Sequence, residues 1–373
     1  MTETNSLYFD IAATTPLHLD VANHINEINK ATYGNPSSIH QIGQKAHNVI
    51  ERARKKISTL LGCKESEIYF TSGGSESNNI ALRGILNKGD HLITSSYEHP
   101  AILEVAKHLE KNNITVTYIN PDSDGIINIK DVKNAMNENT KLVSIMYANN
   151  ELGTINPING IGEICNTNNI FMHTDAVQYI GKNDINLNET NIDMVSIGAH
   201  KFYGPKGVGA LYIKNGITVN PLLIGGGQEK GISPGTESPA LISGMAFALE
   251  LSISQLEKNS QHINEMEQLF VSLLNDTKIK YKINGQNRLK GFINITFFDY
   301  DGYSLLLNLD MNNIAISYGS ACSSGSAKAS NALLVTGMNE KIAKNTVRIS
   351  IGNFITENDI RKLVTTLEKI IVK

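Results

Sequence analysis

Cysteine is scarce in this chain of 373 residues, which has only Cys63, Cys165 and Cys322. Thiols so few and so scattered are unsuited to a disulfide framework or a structural zinc site, and they are typical of a protein kept in a reducing compartment. We therefore expect a cytoplasmic location and no bound metal.

The chain also lacks long apolar segments and any strong excess of charge. No apolar run approaches transmembrane length, and residues 1–9 lack the basic and apolar stretches of a secretory signal, so we expect neither feature. The formal net charge is −3, and no basic run is interleaved with aromatic residues. We expect no direct binding to nucleic acid or to a membrane.

The composition, 41% hydrophobic and 18% charged, is that of a globular enzyme. The chain is long enough for one large domain and one smaller domain. Short apolar runs alternate with helical periodicity over the first half of the chain. This predicts strands at 68–71, 91–94, 115–119, 142–147 and 170–173, and helices at 77–86, 101–111 and 129–137. Such alternation indicates a mostly parallel sheet covered on both faces, with ligands bound beyond the carboxyl ends of its strands.

The second half has the pattern of a smaller α+β unit. The helical stretch 240–275 is too long for one ordinary helix, so we expect two helices or one that leads into a second domain. Strands are predicted at 292–298, 314–320 and 346–351. A terminal helix begins at Glu357, and Thr356 with Asp359 resembles a capping box at its start.

Lys201 lies between a predicted strand and a Gly/Pro-rich loop, directly after His200. At the floor of a cleft, a desolvated lysine amine has a lowered pKa and becomes a usable nucleophile. Most lysines are solvated surface charges, and a lone lysine would be read that way. Lys201 is not alone, because other polar residues, among them Asn150, also follow predicted strand ends.

One of these groups is a glycine-rich turn that precedes a predicted helix. Gly74 and Ser75 belong to the sequence Gly-Gly-Ser-Glu, and the glycines would let backbone N–H groups approach an anion at a helix N-terminus. A phosphate is the ligand such a turn suits. A plain tight turn accounts for the same residues equally well.

Asp175 ends another predicted strand and Gln178 follows three residues later. A carboxylate in this position can keep a pyridinium nitrogen protonated, which makes the ring an electron sink, and Gln178 can donate to a ring oxygen. Taken by themselves, the two residues fit an N-cap aspartate and a solvent-exposed glutamine better. His99 can stack on a flat heterocycle and move protons, or it is a surface histidine at a helix start.

Two residues near the carboxyl end complete the candidate set. Cys322 lies in a small, polar, glycine-containing segment where a thiol can react, whereas Cys63 and Cys165 fit packing positions. Arg348 is a lone cation in a predicted apolar strand and needs a partner. A substrate carboxylate would serve, and so would a structural ion pair.

The order and spacing of these motifs resemble class V, fold-type I pyridoxal phosphate enzymes, and among them cysteine desulfurases of the NifS/IscS kind. The resemblance covers almost the whole chain, and its motifs lie at residues 8–16, 34–40, 149–153, 319–322 and 347–352. It implies a large domain with a mostly parallel seven-stranded sheet (residues 15–255). It also implies a small α+β domain (residues 1–14 and 256–373) that carries the cysteine loop, and a homodimer.

The resemblance also implies a role for each matched residue. The Schiff-base lysine of bound pyridoxal 5′-phosphate would be Lys201, and Cys322 the thiol that accepts sulfur. Asp175 would bind the pyridine nitrogen and Gln178 the phenolic oxygen, while His99 would stack on the ring. The phosphate would be held by Ser75, His200 and Thr236 of the partner subunit. Asn150 would lie near both the substrate carboxylate and the ring oxygen, and Arg348 would clamp the carboxylate.

Two positions depart from the family pattern. Gly198 stands where a serine usually binds the phosphate, and Ser233 stands where an arginine usually precedes the partner threonine. A lost hydrogen bond to a charged group would weaken cofactor binding on the order of tenfold to a hundredfold. Ser196, on the same strand face as Gly198, is a candidate for partial compensation.

The implied activity is conversion of L-cysteine to L-alanine with a persulfide on Cys322. The sulfur would pass to an acceptor or scaffold protein for iron–sulfur cluster assembly or tRNA thiolation. One alternative is a selenocysteine lyase or a cysteine lyase that releases sulfide, although Cys322 argues against simple release. A second is a cofactor-poor scaffold protein, favoured by Gly198 and Ser233 and opposed by Lys201 and Asp175.

Overall fold

The computed structural model describes residues 6–319 and 329–372. Twelve strands lie within them: β1 Leu7–Tyr8, β2 Ile68–Thr71, β3 His91–Ser95, β4 Thr115–Ile119, β5 Thr140–Ser144, β6 Phe171–Asp175, β7 Met194–Gly198, β8 Gly209–Ile213, β9 Tyr281–Asn284, β10 Phe292–Phe297, β11 Ile314–Ala315 and β12 Thr346–Ser350. Helices α1–α6 are Leu19–Ala31, Gln41–Leu61, Gly74–Arg83, Pro100–Glu110, Ile129–Ala135 and Ile158–Thr167. Helices α7–α12 are Pro239–Ser254, Leu256–Asn275, Gly302–Asp310, Asn331–Val335, Glu340–Lys344 and Glu357–Ile371.

Seven strands form the main sheet, in the order β2-β8-β7-β6-β5-β3-β4. Only β8 runs against its neighbours; every other adjacent pair is parallel. Successive residues point to opposite faces, and on β3 Leu92 packs with α3 and α4 while Ile93 packs with α2, α6 and α7. The predicted mostly parallel seven-stranded sheet with both faces covered is confirmed.

The edges of several predicted elements differ from the observed ones. The strand predicted at 142–147 ends its ladder with β3 at Ser144, because the N–H of Met146 donates to the buried Glu98 carboxylate at 2.8 Å. The helix predicted at 77–86 begins three residues earlier, at Gly74. The glycine turn is therefore the first turn of α3 itself, which places its free N–H groups beside the strand ends.

The long helical stretch is two helices, as predicted. Helix α7 ends at Ser254 and α8 begins at Leu256, with a bend of 68° between their axes. Among the described residues, no single helix is long and apolar enough to span a bilayer, and this bent pair meets that test only when its two helices are joined.

A second core lies under a three-stranded antiparallel sheet of order β12-β10-β9. Helices α8, α9 and α12 cover it with apolar side chains such as Phe270, Leu305 and Leu363. The capping box at the start of α12 is present, with Thr356 Oγ1 and the Asp359 carboxylate exchanging bonds with each other's backbone N–H. The strand predicted at 314–320 is only two residues long and pairs with β1, because Ser317 then bridges to Arg348 instead.

Candidate active site

Lys201 lies at the end of a short 3-10 turn that directly follows β7. Its Nζ donates to the carbonyl oxygens of Ala12 and Ala13, at 2.6 and 2.7 Å. The N-terminal segment is itself fixed there, because Thr15 donates to the His200 carbonyl through both its N–H and its hydroxyl. The lysine amine is thus held at a defined point by chain that lies nearly two hundred positions earlier in the sequence.

A cavity of about 270 Å³ surrounds this amine. Its lining contains eight of the predicted site residues, namely Gly74, Ser75, His99, Asn150, Asp175, Gln178, His200 and Lys201. They follow β2, β3, β5, β6 and β7, and their convergence is what a parallel sheet produces at the carboxyl ends of its strands. A larger cavity, of about 610 Å³, lies beside α2 and contains none of them, so the chemistry of the lining identifies the site and its size does not.

Asp175 is buried, with 7% of its surface exposed, and both carboxylate oxygens are engaged. Oδ2 accepts from Asn78 Nδ2 at 2.7 Å, and Oδ1 accepts from the N–H of Val177 at 3.0 Å. The second bond is a local turn contact, and because no helix begins directly after Asp175 in the described chain the alternative of an N-cap aspartate is wrong. The first comes from α3 and fixes the carboxylate in the cavity wall.

Gln178 is 5% exposed, so the alternative of a solvent-exposed glutamine is wrong. Its Nε2 donates to the Ala12 carbonyl at 2.8 Å. Its Oε1 is buried and has no hydrogen-bond partner among the described residues. A buried amide oxygen left in this state costs free energy, which favours a ligand donor or water in the cavity.

His99 is the N-cap of α4 and also lines the cavity. Its Nδ1 accepts from the N–H of Ala101 at 3.1 Å, so in the neutral ring the proton is on Nε2. Burial lowers the pKa of His99, the Asp175 carboxylate raises it and the Lys201 charge lowers it further. The neutral imidazole is therefore favoured.

The helix end of the cavity is formed by α3, whose first residues are Gly74 and Ser75. A Cβ at position 74 would lie 2.6 Å from Val177 Cγ2, so the close approach requires glycine. His200 Nδ1 lies 3.1 Å from Thr14 Oγ1. Burial and the charge of nearby Lys201 lower the pKa of His200 to about 4, so its ring is neutral and can hydrogen-bond to an anion.

The two departures from the family pattern lie at this same end. Gly198 has extended backbone angles, φ −127° and ψ 118°, and a Cβ there would lie 3.3 Å from Val177 Cγ1. Ser196 does not compensate for it, because its hydroxyl is fully buried and 3.0 Å from His173 Nε2. The Ser233 hydroxyl donates to Glu76 Oε1 at 2.8 Å, so Ser233 is hydrogen-bonded to the first turn of α3.

Two predicted site residues are not among the residues that line this cavity, and a third lies outside the described part of the chain. Thr236 is exposed and lines a separate cavity with Ser233 and Glu76, so in this chain it does not reach Lys201. Cys322 lies outside the described residues. Arg348 is 2% exposed, donates to the Asn150 carbonyl and to Asp10 Oδ1, both at 2.6 Å, and retains a buried Nε without a partner among the described residues.

Two of the three cysteines can be assigned from burial. Cys165 is fully buried and Cys63 half-buried, and burial raises the pKa of each thiol to about 12. A thiol so rarely ionised is a poor nucleophile. The interpretation of both as packing residues agrees with this.

Several functional neighbours were missed by sequence reasoning. Asn78 holds Asp175, and the Ala12 and Ala13 carbonyls hold Lys201. Glu98 accepts from Ser95 Oγ at 2.5 Å and from Met146 behind His99, and burial raises its pKa to about 8. The one sequence signal for Glu98 is that it directly precedes His99.

The described residues fit pyridoxal phosphate. They present a fixed carboxylate, a buried amide oxygen without a partner among the described residues, a lysine amine, and the N-terminus of α3, whose first backbone N–H groups suit an anion. They do not fit a metal ion, because no cluster of three His, Cys, Asp or Glu residues occurs in the part of the chain that the structure describes.

Comparison with known proteins agrees with this geometry. Residues 7–363 match the family model described as Aminotransferase class-V. The cysteine desulfurase IscS of Dictyoglomus turgidum is 42% identical, over 98% of this chain and 95% of that protein. The cysteine desulfurase IscS of Methanosarcina thermophila is 41% identical, over 100% of this chain and 93% of that protein.

Solved structures give the same result. A NifS-like protein matches with a TM-score of 0.92 at 33% identity, over 98% of this chain and 99% of that one. SspA in complex with cysteine matches with a TM-score of 0.84 at 38% identity, over 94% and 100% of the two chains. The chain belongs to the class-V aminotransferase family and, within it, to the cysteine desulfurases. The predicted resemblance and fold class are confirmed.

Proposed function

We propose that the chain is a pyridoxal phosphate-dependent cysteine desulfurase that converts L-cysteine to L-alanine and leaves the sulfur as a persulfide on Cys322. The carbon–sulfur bond of the substrate breaks, a sulfur–sulfur bond forms on Cys322, and hydrogen replaces sulfur at Cβ, so the reaction needs no external oxidant or reductant. The observation that carries this proposal is the meeting of Lys201, Asp175 and the start of α3 in one cavity.

The cavity offers a partner for each part of the cofactor. Asp175 would hold the pyridine nitrogen, Gln178 the phenolic oxygen, and His99 would stack on the ring. Gly74, Ser75 and His200 would hold the phosphate, together with Thr236 from a second copy of the chain. When bound, the cofactor supplies an electron sink that makes the substrate Cα hydrogen acidic.

Lys201 would take the proton from the substrate Cα. The Ala12 and Ala13 carbonyls orient its Nζ, because both accept hydrogen bonds from it. His99, whose Nδ1 accepts from the Ala101 N–H so that the neutral ring carries its proton on Nε2, would donate a proton on the side of the cavity where the Cys322 thiolate attacks sulfur.

The substrate carboxylate would be bound by Asn150 and Arg348. The structural ion pair that the sequence left open is present, because Arg348 pairs with Asp10. That pair and the bond to the Asn150 carbonyl fix the guanidinium beside a residue of the cavity wall, and its buried Nε has no partner among the described residues. Arg348 would therefore act from a fixed position, with Asp10 as its orienting partner.

Several wider assignments rest on the sequence. We infer a homodimer, because Thr236 faces away from its own Lys201 and matches the family's partner threonine. We also infer a cytoplasmic protein that transfers sulfur to an acceptor or iron–sulfur scaffold protein and binds neither nucleic acid nor membranes directly. The division into residues 15–255 and residues 1–14 with 256–373 stays a prediction.

The alternative of a cofactor-poor scaffold has one observation in its favour. Gly198 supplies no hydroxyl at the position where the family usually has a serine, and the Ser196 hydroxyl bonds to His173 instead. The complete set around Lys201 opposes it. A selenocysteine or sulfide-releasing lyase would share that cavity and differ in needing no thiol at Cys322.

One experiment separates these possibilities. The purified protein is incubated with pyridoxal phosphate and L-cysteine, and alanine and protein-bound persulfide are measured by mass spectrometry. We expect alanine together with persulfide on Cys322, and Cys322→Ser should bind the cofactor normally but carry no persulfide. Persulfide on Cys63 or Cys165, or sulfide release at the wild-type rate from Cys322→Ser, would contradict the proposal, and absence of the cofactor's visible absorption would favour the scaffold.

A further inference from the structure

Ser330 connects the downstream end of the cysteine-bearing segment to the wall of the active site. It is 7% exposed, and its hydroxyl donates to the buried carboxylate of Glu151. The same hydroxyl accepts from the N–H of Leu333 at 3.4 Å and caps α10. Its neighbour Asn331 donates to the Ser96 carbonyl at 3.1 Å. Two adjacent side chains therefore bind large-sheet residues far away in sequence.

The partners of this contact belong to the elements that form the cavity. Glu151 directly follows Asn150, which lines it, and Ser96 lies between β3 and His99. Burial raises the pKa of Glu151, and the Ser330 bond and the charge of Arg348 lower it. No charged group is within ion-pair distance of Glu151 among the described residues, so Ser330 is its principal side-chain partner.

Helix α10 needs this contact because it is only five residues long, which is too short to be stable alone. It is held by burial of Ala332 and Leu333 in the large-sheet core and by the Ser330 cap. Removal of the hydroxyl would leave the buried Glu151 carboxyl without its hydrogen bond and α10 without its cap.

We propose that Ser330 and Glu151 are positioning residues for the sulfur-transfer step, because their hydrogen bond fixes where the chain that carries Cys322 joins the active-site wall. This inference rests on the proposed function. Cys322 lies eight residues before Ser330. Because Ser330 and Cys322 are close in sequence, a displaced Ser330 would lower the rate of thiol attack without altering the residues that line the cavity.

The test compares single-turnover persulfide formation on Cys322 in the cofactor-loaded wild type and in Ser330→Ala, Ser330→Thr and Asn339→Ala. Asn339 is the matched control, because it caps the next short helix, α11, through the N–H of Lys341 and is exposed. Exchange of the Cα hydrogen of L-alanine in D2O is measured in parallel, since it needs the cavity but not Cys322. Amide hydrogen exchange of residues 331–335 in cofactor-free protein reports on α10 directly.

We expect Ser330→Ala to slow persulfide formation roughly tenfold, the effect of one lost hydrogen bond to a buried carboxyl. KM for cysteine and Cα exchange should stay at wild-type values, and exchange at residues 331–335 should be faster. Ser330→Thr, which keeps the hydroxyl, and Asn339→Ala should form persulfide at the wild-type rate.

Two results would overturn this inference while leaving the proposed function intact: a wild-type rate of persulfide formation in Ser330→Ala, or an equal loss of Cα exchange in that variant. An equal loss in Asn339→Ala would also overturn it, because the effect would then be general to helix capping. Absence of persulfide on Cys322 in the wild type would instead refute the proposed function itself.

Discussion

At one end of the cavity, which we call the Asp175 end, Asp175 is held by Asn78 and Val177, and Gln178 is bonded to Ala12. At the other end, the helix end, lie the start of α3 and His200. Strand β7 ends nearby at Gly198, which offers no side chain to a ligand. The Asp175 end is fixed by buried side-chain bonds, whereas the helix end relies mainly on backbone N–H groups.

This difference separates two properties of the enzyme. In the proposed function, the Asp175 end would set the reaction type, because it would control the electronic state of the cofactor ring. The helix end would set cofactor affinity, because the phosphate would contribute binding and take no part in the chemistry. A cysteine desulfurase can therefore tolerate a changed helix end while it keeps its activity.

The largest effect is expected from Lys201→Ala, which removes the group that both ends serve. Alanine formation should fall to background, and borohydride reduction should no longer attach the cofactor to the protein. Lys206→Ala, an exposed lysine of the same loop, is the matched control and should retain both. Substantial turnover of cysteine by Lys201→Ala would refute the assignment of this lysine.

Asn78→Ala tests the Asp175 end. It removes the 2.7 Å bond to the buried Asp175 carboxylate, a loss of about 1.5–3 kcal/mol for a hydrogen bond to a charged group. Turnover should fall roughly tenfold to a hundredfold, measured as alanine formed at saturating cofactor. Asn79→Ala is the control, because that side chain is half-buried and, among the described residues, bonds only within α3. If both variants had equal activity, Asn78 would not position Asp175.

Gly198→Ser tests the helix end. A hydroxyl there should tighten cofactor binding by a few-fold to roughly a hundredfold, in a titration of cofactor-free protein. The extended backbone accepts serine, and the half-buried Val177 side chain must yield by a few tenths of an ångström to a Cβ at 3.3 Å.

The control for that substitution is Gly198→Ala, which adds the same Cβ without the hydroxyl. We expect alanine to leave affinity unchanged or slightly weaker. If serine bound the cofactor no better than alanine, the phosphate would already be satisfied by backbone or water. The argument for a cofactor-poor scaffold would then lose its main support.

The last effect is on stability and not on activity, and it comes from Glu98, behind His99. Its pKa is raised from 4.5 to about 8 by burial, so the unfolded chain releases this proton at lower pH than the folded one. The stability that Glu98 contributes is complete below pH 4.5 and declines as the pH rises toward about 8, by at most ~1.4 kcal/mol per pH unit.

Glu98→Gln should therefore flatten the fall in melting temperature over that pH range, since glutamine keeps an acceptor for Ser95 and Met146 without ionising. Glu104→Gln is the control, because Glu104 is exposed on α4 and paired with Lys107. A pH profile of Glu98→Gln identical to that of the wild type would show that Glu98 is already ionised in the folded protein.

Most of the fold was predictable because the strands of a doubly covered parallel sheet are short apolar runs bounded by turns. The ends of strands were less predictable where a contact outside the sheet takes the place of the backbone hydrogen bonds between strands. At Met146 the N–H bonds to Glu98, and after Ala315 the chain turns to Arg348. Both changes come from contacts between residues distant in sequence, which periodicity does not encode.

The sequence by itself determined which chemical groups are available: a lysine after a strand, a carboxylate and an amide three residues apart, a glycine turn, and one thiol in a small, polar, glycine-containing segment. Only the tertiary structure decided how they are used. Asn78 fixes Asp175, the Ala12 and Ala13 carbonyls fix Lys201, and His173 engages Ser196. The physical reason is that a hydrogen bond depends on distance and direction in space, and folding brings together partners that no local pattern links.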